Sequence, residues 1–421
     1  MGKLALKHLI NERMCLLASA LLASLLLGSR APCSVATSYY PPGGFVQIRG
    51  TQFFVDGHPL YVNGFNAYWM MYFAADAQSR AQVSALMDQA SKLGLNVGRT
   101  WAFNDGSYRA LQISPGVFSE QVFQGLDFVI AEAKNQGVRL LLSFANNYAN
   151  FGGKPQYVQW GRNAGLHLEN EDAFFSDSTV KGYYKTFVQT LLTRVNTITG
   201  VAYRDEPAIF GWELLNEARC TSDPSGSILQ AWIEEMSAFV KSIDGNHILE
   251  VGLEGFYSPL SAERVSVNPS SFGEQTGTDF IKNNLPQQVD FATVHTYPDI
   301  WLSQENQDVQ QEFTTNWIKS HIEDATYKLG KPVLFAEFGK SAYTAGYFQE
   351  QRDQLLSNIY ATIYASASNG GAGAGALVWQ LFTDGIESSF YDGYQIVLSQ
   401  NPSTENIIAA QSHRMSYLSH L

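Results

Sequence analysis

Cysteine is scarce in this sequence, and its few positions exclude a fold held together by disulfide bonds. The chain has 421 residues and only three cysteines. Cys15 and Cys33 lie in an N-terminal segment that we expect to be removed, which leaves Cys220 alone. A cysteine nucleophile would need a histidine base beside it, and the sequence around Cys220 points to none. We therefore interpret Cys220 as a packing residue of a large core.

Positive charge is also in short supply. The sequence holds 27 Lys and Arg against 39 Asp and Glu, for a net charge of -12. This balance disfavours binding to nucleic acid or to an anionic membrane surface, and a neutral partner fits it better. Aromatic residues make up 13% of the chain, and aromatic faces pack well against the C–H groups of sugar rings.

Long apolar runs are missing after the N-terminus, so no internal segment is predicted to span a membrane. At the N-terminus itself, Lys3, Lys7 and Arg13 precede an apolar run over residues 14–28. Ser34-Val35-Ala36 then offers small residues for cleavage. The pattern predicts a secretory signal peptide over residues 1–36 and a mature chain over 37–421 that is secreted, extracellular or in the cell wall. An uncleaved N-terminal anchor is the alternative.

Several catalytic motifs are absent as well. The chain has no His-Glu-x-x-His, no cysteine pair spaced for zinc and no Gly-x-Ser-x-Gly. These absences argue against zinc hydrolases and serine hydrolases, and we expect neither a metal nor a cofactor.

What the chain does contain is an alternation of short apolar segments with longer amphipathic ones. The apolar segments predict eight strands, over residues 60–65, 96–101, 139–144, 209–215, 248–253, 290–294, 332–336 and 375–381. The clearest helices are predicted over 79–93, 119–136, 178–199, 227–243, 309–329 and 347–368, several of them opening on a serine suited to cap a helix. A short helix over 278–284 and a last one over 404–418 complete the series. Eight buried strands alternating with helices predict an α/β protein with a single (β/α)8 TIM barrel domain.

Other segments fit around this pattern. Asp56-Gly57 lies between two alternating apolar runs and predicts a small N-terminal β-hairpin over residues 45–64, which we place under the barrel. The glycine-rich runs 150–154 and 370–375 are interpreted as loops. An open doubly wound sheet is the alternative fold, but it usually has a glycine-rich phosphate turn after its first strand, where this chain has Gly64-Phe65-Asn66-Ala67-Tyr68.

Polar and aromatic residues collect just beyond the predicted strands, which is where such a barrel places its functional groups. They are Arg99, Trp101, Asn146, Asn147, Tyr148, Asn216, Glu217, His295, Tyr297, Glu337 and Trp379. Each alone has an ordinary structural interpretation, such as an ion pair for Arg99 or a core histidine for His295. Their joint occurrence at six strand ends favours a catalytic site.

Two facing carboxylates without a metal cluster are typical of glycoside hydrolysis, in which one donates a proton and the other acts at the anomeric carbon. The two groups must differ in pKa. We expect Arg99 and Tyr297 to keep Glu337 ionised. Beside Glu217, local sequence fixes no cation other than Arg219, and Asn216 suits a hydrogen bond to the sugar 2-hydroxyl.

The motif Asn216-Glu217 and the segment Phe335-Ala336-Glu337-Phe338-Gly339 resemble the retaining glycoside hydrolases of family 5. Longer stretches resemble the plant endo-β-1,4-mannanases within it: residues 64–69 (GFNAYW), 146–160 (NNYANFGGKPQYVQW), 212–220 (WELLNEARC) and 291–299 (FATVHTYPD). The resemblance implies that Glu217 on strand four is the acid/base and Glu337 on strand seven the nucleophile. It also implies a polysaccharide partner, β-mannan in the form of mannan, glucomannan or galactomannan.

The same resemblance implies substrate contacts. Arg99, His295, Tyr297 and Trp379 match other active-site positions of the family, with Trp379 stacked under the sugar at the cleavage point. Asn147, Trp101, Trp212 and Arg219 are further candidates for substrate contacts. A retaining pair implies carboxyl groups about 5 to 5.5 Å apart.

Two positions depart from the family pattern. Ala218 follows Glu217 where mannanases usually have proline, so that φ is less restricted and an N–H is restored. Beyond strand three, Asn146 and Asn147 stand where many family 5 enzymes have histidine. The open alternatives are a β-1,4-glucanase or a transglycosylase on the same barrel, and a carbohydrate-binding protein on a catalytically dead barrel.

Overall fold

The computed structural model describes residues 43–106 and 108–420, and a sheet of eight parallel strands forms their centre. The strands are β1 (Val62–Asn66), β2 (Val97–Trp101), β3 (Arg139–Ser143), β4 (Ile209–Glu213), β5 (Ile248–Glu250), β6 (Ala292–Thr296), β7 (Val333–Phe338) and β8 (Gly373–Val378). All eight are buried along their length, as the near-continuous apolar runs of the sequence predicted. The predicted signal peptide over 1–36, with Cys15 and Cys33, lies outside the described residues.

The sheet curls into a nearly closed barrel. Its strands pair in the order β5-β4-β3-β2-β1-β8-β7-β6. At the seam between β5 and β6, the N–H of Asp290 donates to the oxygen of Leu249 at 2.7 Å, and the N–H of His295 donates to the oxygen of Glu254 at 2.9 Å. The predicted TIM barrel is therefore confirmed, with a short fifth strand at its weakest join.

A helix follows each barrel strand and covers the outside. These helices are α1 (Arg80–Lys92), α2 (Glu120–Gln136), α3 (Ser178–Thr193), α4 (Ser227–Ile243), α5 (Phe280–Asn284), α6 (Gln307–Asp324), α7 (Gln349–Ser368) and α8 (Pro402–Leu418). In α4 the buried residues Leu229, Trp232, Ile233, Met236 and Val240 recur at helical spacing and face the barrel. No helix within the described residues combines the length and the apolarity needed to cross a bilayer.

Shorter elements occupy the loops. Helices lie at Met70–Ala74, Gly153–Asn163, Ala173–Ser176 and Pro298–Trp301, and a π-helical turn at Ala325–Leu329 extends α6. Two small strand pairs join Gln112–Ser114 to Val117–Phe118 and Leu381–Phe382 to Ile396–Val397. All of these except the π-helical turn were missed in the sequence. Most are too short to show a periodicity of their own, while Gly153–Asn163 begins inside the glycine-rich run 150–154, which is therefore only partly the predicted loop.

Bulges in two barrel strands decide which side chains face the interior. Leu140 pairs with Ile209 but Leu141 pairs with Gly211, so Phe210 is an extra residue in β4. In β7, Val294 pairs with Phe335 but His295 pairs with Glu337, which leaves Ala336 as the extra residue. A bulge reverses the alternation of side chains beyond it. Glu337 and Glu213 therefore turn inward, where simple alternation would not place them.

An N-terminal sheet closes the end of the barrel away from the strands' carboxyl ends. Strands Gln47–Arg49, Gln52–Val55 and His58–Leu60 pair antiparallel, and Asp56-Gly57 forms the turn between the last two. Phe53 is fully buried and packs edge-on against Phe210 and Phe291, with ring centroids 5.2 and 5.3 Å apart. The predicted hairpin over residues 45–64 and its position under the barrel are confirmed, with three short strands in place of two.

Several predicted boundaries were wrong for identifiable reasons. Helix α3 ends at Thr193 rather than 199, because Arg194 turns to extended backbone and its guanidinium binds Asp127 and Glu120. Strand β5 stops at Glu250, before Gly252 with a φ of 92°. Of the serines expected to cap helices, Ser119 accepts the N–H of Val122, while Asp177 caps α3 in place of Ser178.

The glycine-rich run 370–375 is only partly a loop, since Gly373 to Gly375 lie in β8. A Cβ on Gly375 would come within 2.1 Å of the backbone oxygen of Val62. Glycine is thus required for β8 to lie close to β1 and close the ring.

Candidate active site

Arg99, the third of the five residues of β2, organises the site. Its guanidinium is completely buried and binds Glu213 in a bidentate pair of 2.6 and 2.8 Å. The remaining N–H groups donate to Glu337 at 2.6 Å, to Asn216 at 2.6 Å and to Asn66 at 3.0 Å. Because a bidentate pair fixes the plane of a guanidinium, Glu213 sets the direction in which Arg99 meets Glu337 and Asn216.

Both oxygens of Glu337 are held. Oε1 accepts from Arg99, and Oε2 accepts from the hydroxyl of Tyr297 at 2.7 Å. The side chain is 5% exposed, at the floor of a cleft. A carboxylate fixed by a cation and a hydroxyl, with one face toward a cleft, is suited to attack an electrophile from a single direction.

Glu217, just beyond β4, has an unusual backbone. Its φ is 54°, a left-handed conformation that costs a residue with a Cβ roughly 1–2 kcal/mol. The N–H of Glu217 donates to the oxygen of Gly252 at 2.7 Å, and Oε1 lies 2.7 Å from Nδ1 of His295. Strain of this kind is retained where the surroundings fix a functional side chain.

The two glutamates lie close together with His295 between them. Nδ1 of His295 is 2.7 Å from Oε1 of Glu217 and 3.7 Å from Oε2 of Glu337. One oxygen of each carboxylate and one ring nitrogen lie within 4.8 Å of one another. This spacing fits a retaining pair, since an inverting pair stands roughly 6.5–9.5 Å apart to admit a water molecule.

Two carboxylates and an imidazole at this spacing are also a possible set of metal ligands. Here, however, Arg99 and Tyr297 donate to the two oxygens of Glu337, and His295 binds an oxygen of Glu217. The donors of the protein itself thus supply the positive charge that this cluster needs. The expectation of a metal-free site stays a prediction.

The pKa values of the three groups depend on one another. Burial favours protonated Glu217, but the hydrogen bond and the positive charge of His295 lower the pKa of Glu217 to about 2. Burial opposes protonation of His295, yet the charges of Glu337 and Glu217 raise the pKa of His295. Burial raises the pKa of Glu337, against the charges of His295 and Arg99, and the charge of Glu217 raises it further.

These directions correct the simple expectation that Arg99 and Tyr297 alone make Glu337 the stronger acid. When Glu217 carries a proton, the charge of Glu217 that raises the pKa of Glu337 disappears. Glu337 then becomes the ionised member of the pair, because two close carboxyls share one proton.

Aromatic rings line one side of the cleft, which has a volume of about 620 Å³. Trp379, at the end of β8, and Trp101, at the end of β2, both line it, as predicted from the sequence. Tyr68 contacts both, with its ring 5.7 Å from that of Trp379 at 18° and 5.9 Å from that of Trp101 at 30°. Such a continuous apolar wall suits the faces of sugar rings.

An ion pair lines the other side. Arg219 binds Glu254 through Nε at 2.6 Å and Nη2 at 2.5 Å, and its guanidinium lies over the ring of Tyr148 at 5.7 Å. Burial and the charge of Glu217 raise the pKa of Glu254 to about 7, and Arg219 opposes that shift. Arg219 is therefore in the cleft, as predicted, with its direction set by a glutamate that the sequence did not identify.

Two of the predicted substrate contacts lie elsewhere. Asn146, not Asn147, lines the cleft, and it accepts a hydrogen bond of 3.0 Å from the amide of Asn216. The side chain of Asn147 accepts the N–H of Arg219 at 3.3 Å, so it supports the loop from behind. Trp212 is fully buried outside the barrel, where it donates to Asp244 at 2.7 Å, because the bulge at Phe210 reverses the strand's alternation.

Three buried glutamates of the site were not predicted from the sequence, namely Glu213, Glu250 and Glu254. Glu213 and Glu250 are completely buried in apolar strands, and burial beside Glu213 raises the pKa of Glu250 well above its usual value. The signal was available for Glu213, since a lone acid inside an apolar strand is rarely buried without a cation. Cys220 is buried with its pKa raised to about 11 by burial, in line with the packing role predicted for it.

Comparison with known proteins gives three kinds of match. Residues 43–390 match the family model described as GH family 5 beta-mannosidase-like. The chain is 51% identical over 384 residues to mannan endo-1,4-beta-mannosidase 7 of Arabidopsis thaliana, covering 91% of this chain and 88% of that protein. It is 53% identical over 379 residues to mannan endo-1,4-beta-mannosidase 1 of Oryza sativa subsp. japonica, covering 90% and 87%.

Solved structures agree. The endo-β-1,4-mannanase from Thermotoga petrophila is 31% identical with a TM-score of 0.72, covering 85% of this chain and 77% of that chain. The endo-1,4-β-mannanase from Rhizomucor miehei is 28% identical with a TM-score of 0.74, covering 89% and 100%.

Proposed function

This chain belongs to glycoside hydrolase family 5, in its β-mannosidase-like group, and we propose that it hydrolyses internal β-1,4-mannosidic bonds with retention of configuration. It is an enzyme, an endo-1,4-β-mannanase. The observation that carries the mechanism is the closeness of Glu217 and Glu337, whose carboxylates each have an oxygen within 4.8 Å of the other. His295 holds Glu217 and Tyr297 holds Glu337.

In the first step, Glu337 forms a bond to the anomeric carbon and the glycosidic C–O bond breaks. Arg99 and Tyr297 hold the attacking carboxylate in place through their contacts of 2.6 and 2.7 Å. Glu217 gives its proton to the leaving oxygen and is left as a carboxylate, hydrogen-bonded to Nδ1 of His295.

In the second step, water attacks the anomeric carbon of the mannosyl-enzyme, and Glu217 takes the proton of that water. The bond to Glu337 breaks and the carboxylate returns to Arg99 and Tyr297. Two inversions at one carbon give net retention. Glu217 is then protonated and Glu337 ionised, which restores the starting state.

Substrate contacts follow from the walls of the cleft. Trp379 offers its face to the sugar at the cleavage point. The amide oxygen of Asn216 accepts from Arg99, and its amide nitrogen donates to Asn146 at 3.0 Å. The second N–H of that nitrogen is thereby aimed by two fixed neighbours, and we assign it to the sugar 2-hydroxyl, whose orientation distinguishes mannose from glucose.

The test is release of reducing sugar from mannan by the wild type, Glu337→Ala, Glu217→Ala and the control Glu312→Gln, an exposed glutamate of α6. We expect each active-site variant to lose at least about a thousandfold in kcat, since the nucleophile and the acid act as a unit. Activity of Glu337→Ala near that of the wild type would remove Glu337 from its role. Parallel assays with glucomannan, galactomannan and carboxymethyl-cellulose distinguish a mannanase from a glucanase.

We propose further that the chain is secreted. This proposal is supported by Lys3, Lys7 and Arg13 before the apolar run 14–28. Expression of the full chain in a plant cell, followed by N-terminal sequencing of activity recovered from the medium, tests it. A start near residue 37 is expected, and activity that stays with the cell membrane would contradict it.

A further inference from the structure

Aromatic contacts continue from the cleft out to the surface. Tyr68 stacks on Trp379 inside the cleft and also contacts Phe390, with ring centroids 5.9 Å apart. Phe390 in turn lies 5.4 Å from Tyr72, and Tyr72 lies 6.3 Å from Tyr108. The series thus leads from the cleavage point through half-buried rings to Tyr108, which is 74% exposed.

The two outer rings are fixed by a cation. The guanidinium carbon of Arg109 lies 5.0 Å from the ring of Tyr72 and 5.6 Å from that of Tyr108. Arg109 also donates to the backbone oxygen of Tyr72 at 3.2 Å and pairs with Asp76 at 3.6 Å. Rings held in place before binding lose little freedom when a ligand arrives, which favours affinity.

The position of these rings relative to the glutamates indicates which end of the substrate they meet. The leaving group must lie beside the acid Glu217, on the side of the cleft lined by Tyr148 and Arg219. The sugar that becomes bonded to Glu337 extends the other way, past Trp379 and Tyr68. Tyr72 and Tyr108 lie in the loops after β1 and β2, across the barrel from Glu254 after β5, so we place them at the glycone end of a long chain.

We propose that Tyr72 and Tyr108, held by Arg109, form an outer platform that binds the glycone end of a β-1,4-linked mannan chain beyond the cleft. The proposal rests on the mannanase activity proposed above. An exposed tyrosine face is suited to a neutral sugar ring, and its continuity with the cleft wall favours another part of the same substrate as the occupant. The platform would make the enzyme favour long chains over short ones.

The experiment compares Tyr108→Ala with Tyr108→Phe and with Tyr327→Ala. Tyr327 is 83% exposed in the π-helical turn after α6, on the outside of the barrel, and serves as the matched control. The measured quantity is the ratio of kcat/KM for mannohexaose to kcat/KM for mannotriose. We expect this ratio to fall roughly threefold to tenfold in Tyr108→Ala, and to stay at the wild-type value in Tyr108→Phe and Tyr327→Ala.

A second readout is the point of cleavage in mannohexaose labelled at its reducing end. A working platform draws sugars to the glycone side, so Tyr108→Ala should release longer labelled fragments than the wild type. An unchanged ratio and an unchanged fragment pattern would overturn the platform. If the wild type cleaves no manno-oligosaccharide at all, the proposed activity itself is wrong, which is a separate and recognisable outcome.

Discussion

Replacing Arg99 with lysine tests how far the site depends on the geometry of one cation rather than on its charge. Arg99 meets Glu213, Glu337, Asn216 and Asn66 at once, through nitrogen atoms that point in fixed directions. A lysine keeps the charge but carries all its donors on a single nitrogen. It can therefore satisfy Glu213 or Glu337 well, but not both.

The expected size of the effect follows from the burial of these groups. The side chains of Arg99 and Glu213 are completely buried, and that of Glu337 is 5% exposed. Leaving one of these carboxylates without its cation should cost about 3–5 kcal/mol of the free energy of unfolding. Loss of a donor aimed at the reacting carboxylate should lower kcat by about a hundredfold to a thousandfold.

The assay measures thermal unfolding and kcat on mannan for the wild type, Arg99→Lys and the control Arg194→Lys. Arg194 also makes a bidentate pair, with Asp127 at 2.9 and 2.6 Å, but on the outside of the barrel. Both variants should unfold at a lower temperature, by roughly 5–10 °C for Arg99→Lys. Only Arg99→Lys should lose kcat. A kcat for Arg99→Lys within about twofold of the wild type would refute the argument from the orientation of Arg99.

Two further substitutions test single groups. Tyr297→Phe removes the hydroxyl that binds Glu337 at 2.7 Å, so kcat should fall by roughly tenfold to a hundredfold. Because the lost hydrogen bond stabilised the ionised carboxylate, the acidic limb of the pH profile of kcat/KM should move to higher pH. An acidic limb that stays in place would contradict this role of Tyr297. Asp105→Asn should stabilise the protein at pH 7 but not at pH 4. Burial raises the pKa of Asp105 well above its usual value, so the folded protein holds this proton more tightly than the unfolded chain does. The contribution of Asp105 to the free energy of unfolding is therefore fully present below the usual pKa and is lost as pH rises toward the raised pKa. Urea unfolding at the two pH values checks it, and equal effects at both would count against a buried acid.

The catalytic pair was predictable because each glutamate ends an apolar strand. Glu217 and Glu337 follow buried segments, and parallel strands bring such ends to one rim, together with Arg99, His295, Tyr297 and Trp379. The barrel itself followed from the same periodicity.

What the sequence could not supply depends on local departures from periodicity. The bulges at Phe210 and Ala336 reverse the side chains after them, and no residue type signals a bulge in an apolar strand. Trp212 was therefore assigned to the cleft, and Glu213 was overlooked. Asn147 and Asn146 are adjacent and chemically identical, so only the backbone of their loop decides which one faces the substrate.

The seam between β5 and β6 has a consequence for dividing the molecule. No continuous strand ladder crosses it among the described residues; separate hydrogen bonds from Asp290 and His295 do. A chain interrupted near Leu285, which is exposed, would yield a piece with β1 to β5 and Glu217 and a piece with β6 to β8 and Glu337. Since neither fragment holds both glutamates, mannan hydrolysis by the mixture would show that the two fragments had associated. The barrel would then serve as a split-enzyme reporter of proximity.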